Sequence, residues 1–330
     1  MFDVSRSAEE ARRFSRMESL YHRGQTLAWE GKRVLDELWE KHGGAQIRPE
    51  HREPAARVLG AIMWGELAAW KIAAQLGDEL EPLEARMAAT SQAHDEARHF
   101  YVMHDYLVRA LGEFPRTMPR ASERLIEATL SADTIPKKII GMQLQLESTA
   151  LTIFHALREA DVCPVLSELL VYYEKDEARH VGLGVQILPT LIRQMRVPER
   201  VAFSAFSFKV GLLSIGSLKG SENELRTLGI DPRRVAVLGK SKQMLVFEEL
   251  FKLAPKARSN VGERIGFGMD ALAEALWPDP EAPGDFASRA RRVLQTLREG
   301  YQTVETVLDP EGESRAPTRR AKNGAQKRAA

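Results

Sequence analysis

Apolar residues recur at intervals of three and four along almost the whole chain, and the strict alternation of a half-buried strand is scarce. The pattern predicts helices over roughly 8–42, 52–77, 82–112, 120–132, 136–159, 164–195, 197–217, 240–253, 258–277 and 283–307. Two short breaks separate the long helices, Leu76-Gly77-Asp78-Glu79-Leu80-Glu81-Pro82 and Asp161-Val162-Cys163-Pro164. Gly closes helices and Pro opens them, so each break predicts a tight antiparallel hairpin. Segment 112–136, with Pro115, Pro119 and Pro136, is too long for a hairpin and predicts a crossover carrying a short helix. The fold class is therefore all-α. A four-helix bundle spans 52–195, and accessory helices at 8–42 and 197–307 complete one domain ending near 308. Beyond Asp309 the periodicity stops, no acid follows Glu313, and 309–330 predicts a disordered basic tail.

Within the helical pattern one polar hexapeptide occurs twice. Residues 94–99 read His-Asp-Glu-Ala-Arg-His, and residues 175–180 read Lys-Asp-Glu-Ala-Arg-His. Glu66 stands 30 residues before Glu96, and Glu147 stands 30 before Glu177. On a helix, residues three apart lie nearly above one another, so Glu96 and His99 share a face, as do Glu177 and His180. The midpoints of the two 30-residue intervals, 81 and 162, fall inside the two breaks, so antiparallel pairing would bring each early glutamate level with its later one. The result is one Glu from each of two helices and Glu-x-x-His from each of the other two, the ligand set of a dinuclear centre in a bundle core. A single Glu-x-x-His is commonplace on a solvated helix. Two copies, each with a partner glutamate at the same interval, are not.

Charge agrees with this set. Glu66, Glu96, Glu147 and Glu177 carry −4 when ionised, which two divalent cations neutralise; without metal, some would have to protonate or admit water. Carboxylate and imidazole ligands suit iron or manganese, and the lack of thiolates argues against structural zinc. Asp95 and Asp176, each immediately before a ligand glutamate, are placed to accept the second N–H of a ligand histidine. We expect a crossed arrangement, Asp95 with His180 and Asp176 with His99. Arg98 and Arg179, three residues further on, are spaced to pair with those aspartates.

Composition narrows the picture further. A net charge of +1 gives no electrostatic case for nucleic acid, and a lone cysteine, Cys163, excludes internal disulfides and iron–sulfur centres within the chain. The N-terminus has early acids and no apolar core, unlike a secretory signal, and no run approaches 18 uninterrupted apolar residues. A cytoplasmic protein without a membrane span is expected.

The doubled motif resembles the iron-binding motif of the ferritin-like di-iron carboxylate superfamily, and the likeness covers residues 52–195. It is most similar to the oxygen-activating branch of monooxygenase hydroxylases, ribonucleotide reductase small subunits and aldehyde deformylating oxygenases. The resemblance implies two iron ions (Fe/Fe or Mn/Fe) on Glu66, Glu96, His99, Glu147, Glu177 and His180. It also implies an oxidoreductase that uses dioxygen on a small, apolar organic substrate, with an external electron donor, and leaves a homodimer open as the assembly. Subfamily marks are missing: Met103 stands where reductases carry a radical tyrosine, Leu151 where hydroxylases carry a threonine, and Tyr173 where arylamine N-oxygenases add a histidine. Gln143, Tyr173, Trp70, Phe100, Met103 and Leu151 fall within a turn of the ligands and are the candidate pocket residues. Two rival readings remain open: a ferroxidase or iron-handling protein, and a di-metal ligand-binding scaffold without turnover. The many residues outside the bundle favour an organic substrate over iron storage.

Overall fold

The computed structural model describes residues 15–112 and 117–239, together with 268, 271–278, 284–285 and 287–295. Every regular element among them is helical. In chain order they are α1 (Ser15–Thr26), α2 (Gly31–His42), α3 (Pro49–Glu79), α4 (Leu83–Leu111), α5 (Arg120–Leu130), α6 (Ile135–Ile139), a π-helical stretch (Ile140–Leu146), α7 (Glu147–Glu159), α8 (Pro164–Gln194), α9 (Val197–Gly220) and α10 (Glu222–Thr227). Residues 232–239 form a further helix.

The breaks in hydrophobic periodicity become the turns. Leu80, Glu81 and Pro82 link α3 to α4, and a left-handed Asp161 (φ 46°) precedes Pro164, the first residue of α8. The segment expected as one helix over 8–42 is instead two within its described part. Glu30 ends the continuity by capping α2: its carboxylate accepts from the backbone N–H of Lys32 (3.2 Å) and Arg33 (2.5 Å). At the other end Gly43, at φ 65°, supplies the left-handed residue that closes α2.

The helix expected over 136–159 also departs from regularity. Its central turn, Ile140–Leu146, is π-helical and ends directly before Glu147. A π turn bulges outward and needs room. Gly184 on α8 provides it: a Cβ there would lie 2.8 Å from Cβ of Gln143 and 3.0 Å from Leu144.

The helices stack in layers. The α3–α4 and α7–α8 hairpins form the bundle; α1 and α2 lie against α4 and α8, while α5 and α9 pack together against the π-helical turn and α3 on the opposite side. Apolar side chains close the bundle on both ends of the polar centre. Leu59, Met63, Leu107, Phe154, Leu166 and Leu170 fill one end, and Ile72, Leu76, Ala85, Ile139, Ile187 and Leu188 the other. Complete burial of one such aliphatic side chain is worth about 1.5–3 kcal/mol, so these two cores anchor the frame that holds the polar residues between them.

By length and composition α9 is, among the described helices, apolar enough to cross a bilayer, although serines and Lys209 interrupt its run. Its inner face, Val210, Ser214, Ile215 and Leu218, is buried in the protein. Of the helix expected at 283–307, residues 287–295 are helical; its remainder from 296, the expected helix at 240–253, most of that at 258–277, and the basic tail lie outside the described residues.

Candidate metal centre

Four helices each deliver part of one buried cluster. Glu66 comes from α3, Glu96 and His99 from α4, Glu147 from the start of α7, and Glu177 and His180 from α8; all six are buried. Their ligand atoms form two groups within 4.8 Å, Glu66-Glu96-His99-Glu177 and Glu96-Glu147-Glu177-His180. Glu96 and Glu177 belong to both. The internal repeat of the sequence has thus become an approximate twofold arrangement in space.

Each imidazole has one side toward the cluster and one toward an aspartate. His99 Nδ1 lies 3.1 Å from Glu177 and 3.5 Å from both Glu66 and Glu96, while its Nε2 is 3.1 Å from Asp176 Oδ2. His180 Nδ1 lies 2.9 Å from Glu96 and 3.0 Å from Glu177, with Nε2 at 3.3 Å from Asp95 Oδ2. The pairing is crossed: each aspartate reaches the histidine of the other half. With Nε2–H donated to the aspartate, Nδ1 keeps its lone pair for a cation. Arg98 bridges Asp95 (2.6 Å) and Asp176 (2.8 Å), and Arg179 bridges the same two at 2.7 and 2.6 Å. Two arginines and two aspartates therefore close on themselves behind the histidines.

The electrostatics show what the cluster lacks. Burial, with the Glu177 charge, pushes Glu66 well above the usual carboxylate range; burial with the Glu177 and Glu96 charges does the same to Glu147. Burial opposes ionisation of Glu96, yet His180 and His99 outweigh it and hold it well below that range. Both histidines, despite burial, are held well above the usual imidazole value by the acids around them. In the metal-free protein, protons must occupy the space between these groups. His99 Nδ1, Glu96 Oε2 and Glu177 Oε1 nevertheless remain buried without a hydrogen-bond partner. Orphaned polar atoms of this kind in a native core call for an ion, and the donor set, carboxylate oxygen and imidazole nitrogen, suits iron or manganese. The residues fit two metal ions.

Two side chains that the repeat did not expose hold the cluster. Gln92, one turn before Glu96, donates to Glu96 (2.9 Å) and to Glu147 (3.0 Å), and accepts from Gln143 (3.2 Å). Its position on the ligand face of α4 was the available signal. Trp29, in the break between α1 and α2, donates its indole N–H to Asp176 at 2.7 Å and lies under the Arg98 guanidinium, 4.7 Å from it. Nothing in the local sequence around Trp29 points to this role.

A cavity of about 150 Å³ opens beside Glu66 and Glu147, on the side of the bundle away from the histidines' aspartates. Its described walls come from α3, α5, the π-helical turn, α7, α9, α10 and the helix at 232–239, with Ala273, and among these Glu66 and Glu147 are the ionisable lining residues. None of Gln143, Tyr173, Trp70, Phe100, Met103 or Leu151 lines it. The π turn directs Gln143 at Gln92. Tyr173 stacks on His99, ring centroids 4.2 Å apart, and donates its hydroxyl to the His99 carbonyl at 2.7 Å. Met103 is buried in the apolar core, Phe100 packs beside Trp64, and Trp70 is 41% exposed. One-turn spacing on a ligand helix locates side chains above or below the ligands. The void instead lies between helices, where the crossover and α9 stand off from α3 and α7.

No protein-family model matches the chain, and a search of curated proteins found no relative. Solved structures of R2-like ligand-binding oxidase do match it in fold. One, with an aerobically reconstituted Mn/Fe cofactor, is 18% identical with a TM-score of 0.54, covering 71% of this chain and 92% of that one. A point mutant with an aerobically reconstituted Fe/Fe cofactor is 18% identical with a TM-score of 0.56 over the same shares. The chain thus has the all-helical ferritin-like fold.

Proposed function

We propose that the chain is a di-metal oxidase or oxygenase that uses dioxygen on a small apolar organic molecule. Glu66 and His99 would hold one metal and Glu147 and His180 the other, with Glu96 and Glu177 between them. Two iron ions, or one manganese and one iron, would supply the electrons and open coordination positions that dioxygen reduction needs. The R2-like oxidases sharing this fold carry Mn/Fe or Fe/Fe cofactors, which supports that choice.

The lining of the cavity carries the reading. A route for Fe(II) as substrate would be expected to present acids along its length, whereas among the described residues this cavity's ionisable lining is the two glutamates at its inner end. Elsewhere it offers aliphatic side chains and the hydroxyls of Ser122, Thr149, Thr152, Ser214, Ser217 and Ser221. Several hydroxyls are already engaged, Ser122 with Ser217 at 2.6 Å and Thr152 with the Ser148 carbonyl at 2.8 Å, so they add little polarity. A cavity of about 150 Å³ lined largely by aliphatic groups has room for a molecule the size of benzene. The chain's own residues orient the substrate against Glu66 and Glu147, exclude water, and fix both histidines through Asp95 and Asp176.

The test is anaerobic loading with Fe(II), then mixing with dioxygen in the presence and absence of small apolar compounds. Substrate-dependent oxygen consumption with an oxidised organic product supports the reading, with two external electrons required unless the substrate supplies them. Deposition of many ferric ions per chain with no organic product would assign the protein to iron handling. Tight binding of an organic molecule without turnover would make it a scaffold.

A further inference from the structure

We propose that the outer face of α9 docks on an anionic lipid surface. Val197, Val201, Phe208 and Leu212 are exposed by 74, 65, 50 and 44% respectively. At about 100° per residue these four fall within an arc of about 60°, a single stripe running most of the helix. Exposed Ala205 extends the same face. Single exposed hydrophobics are ordinary, but a continuous stripe on one helix marks a contact surface.

Charge selects the occupant. Arg200 borders the stripe on one side and Lys209 on the other, and neither side chain has a partner among the described residues. The one acid of α9, Glu199, is already taken by Arg196. A second copy of the chain fits this face poorly. Antiparallel pairing that sets Val197 against Leu212 and Val201 against Phe208 leaves Arg200 and Lys209 on opposite edges, and α9 of a second copy brings neither of them a free acid, since its Glu199 is paired with Arg196. An anionic lipid surface accepts both features: the stripe enters the acyl boundary and the flanking cations meet the headgroups.

The inner face of the same helix walls the cavity with Ser214, Ser217 and Leu218. Docked on α9, the protein places that cavity about one helix diameter, roughly 10 Å, from the bilayer, where apolar small molecules concentrate. This is a helix lying on the surface, since Val210 and Ile215 are packed inside the protein and cannot face lipid.

Sedimentation of the full chain with vesicles tests the proposal, and the readout needs neither metal nor turnover. The protein should pellet with equimolar phosphatidylglycerol and phosphatidylcholine, and bind pure phosphatidylcholine about tenfold or more weakly. Phe208→Ser with Leu212→Ser should reduce binding at least about tenfold. Arg200→Glu with Lys209→Glu should abolish the preference for the anionic lipid. Both double variants should melt with the parent, because all four side chains are exposed, and both retain the basic tail. No binding by the parent, or binding that survives both double variants, overturns the proposal; the latter would place lipid contact on the tail or another segment. A parent dimer that Phe208→Ser splits, without vesicle binding, would make the stripe a self-interface or protein-docking face instead.

Discussion

The two sides of the buried cluster are built on opposite plans. Behind the histidines, toward α1 and α2, Asp95, Arg98, Asp176 and Arg179 form a closed ring of four charges, with Trp29 sealing Asp176 from outside. Every charge there has a fixed opposite partner, so the imidazoles can adopt one orientation and one protonation pattern. On the other side, Glu66 and Glu147 border an apolar void. Glu66 is tied to His99 at 3.5 Å, and Glu147 accepts from Gln92. Burial and the Glu177 charge hold their carboxylates above the usual range, so each gains from a cation placed beside it. The charged ring fixes the back of the centre, and the cavity leaves its front bordered by apolar walls.

The largest expected effect breaks both sides at once. Glu96→Ala removes a carboxylate common to both ligand groups, and the protein should lose its bound metal; metal analysis after anaerobic Fe(II) loading checks this. Asp176→Asn opens the closed side alone. It removes the carboxylate that faces His99, Arg98, Arg179 and Trp29, and metal affinity should fall by about 10–100-fold with the helical content kept, measured by competition with a chelator.

The open side should respond in the other way. Ala150 lines the cavity one turn after Glu147, and Ala150→Phe fills space without touching a ligand. Two metal ions per chain should still bind while oxidation of the organic substrate falls steeply; equal loss of metal would mean that the void and the cluster are not separable. A smaller effect concerns protons. Because the metal-free cluster raises His99 and His180 above the usual imidazole value, and Glu66 and Glu147 above the usual carboxylate value, loading must displace protons. Raising the pH removes those competitors, so metal affinity should increase with pH through the neutral range, with proton release seen in a lightly buffered titration. Smallest of all, Trp70→Ser should change neither metal content nor oxidation, since Trp70 faces solvent rather than the void.

The closed side was more legible in the sequence than the open one, for a physical reason. Helical phase is local, so Glu96 with His99 and Asp95 with Arg98 could be placed from spacing alone, and the duplicated intervals fixed how the two halves face each other. Turn chemistry located both hairpins in the same way. The cavity depends instead on how far α5 and α9 stand from α3 and α7, a distance that no periodicity encodes. That is why Met103 and Leu151, on plausible faces of ligand helices, do not line it, while Ser217 and Val235 from outside the bundle do. The π turn before Glu147 was hidden for a related reason: Ile140–Leu146 reads as ordinary helix, and the room for its bulge comes from Gly184 on a different helix. Trp29 reaches Asp176 from 147 positions away along the chain, beyond any local pattern.

The most direct test is iron-edge anomalous diffraction from crystals of the Fe(II)-loaded protein. Two peaks should lie in the bundle core, one bounded by Glu66 and His99 and the other by Glu147 and His180, with Glu96 and Glu177 between them and both ions beside the cavity. A single peak, or metal bound away from these six residues, would contradict the account.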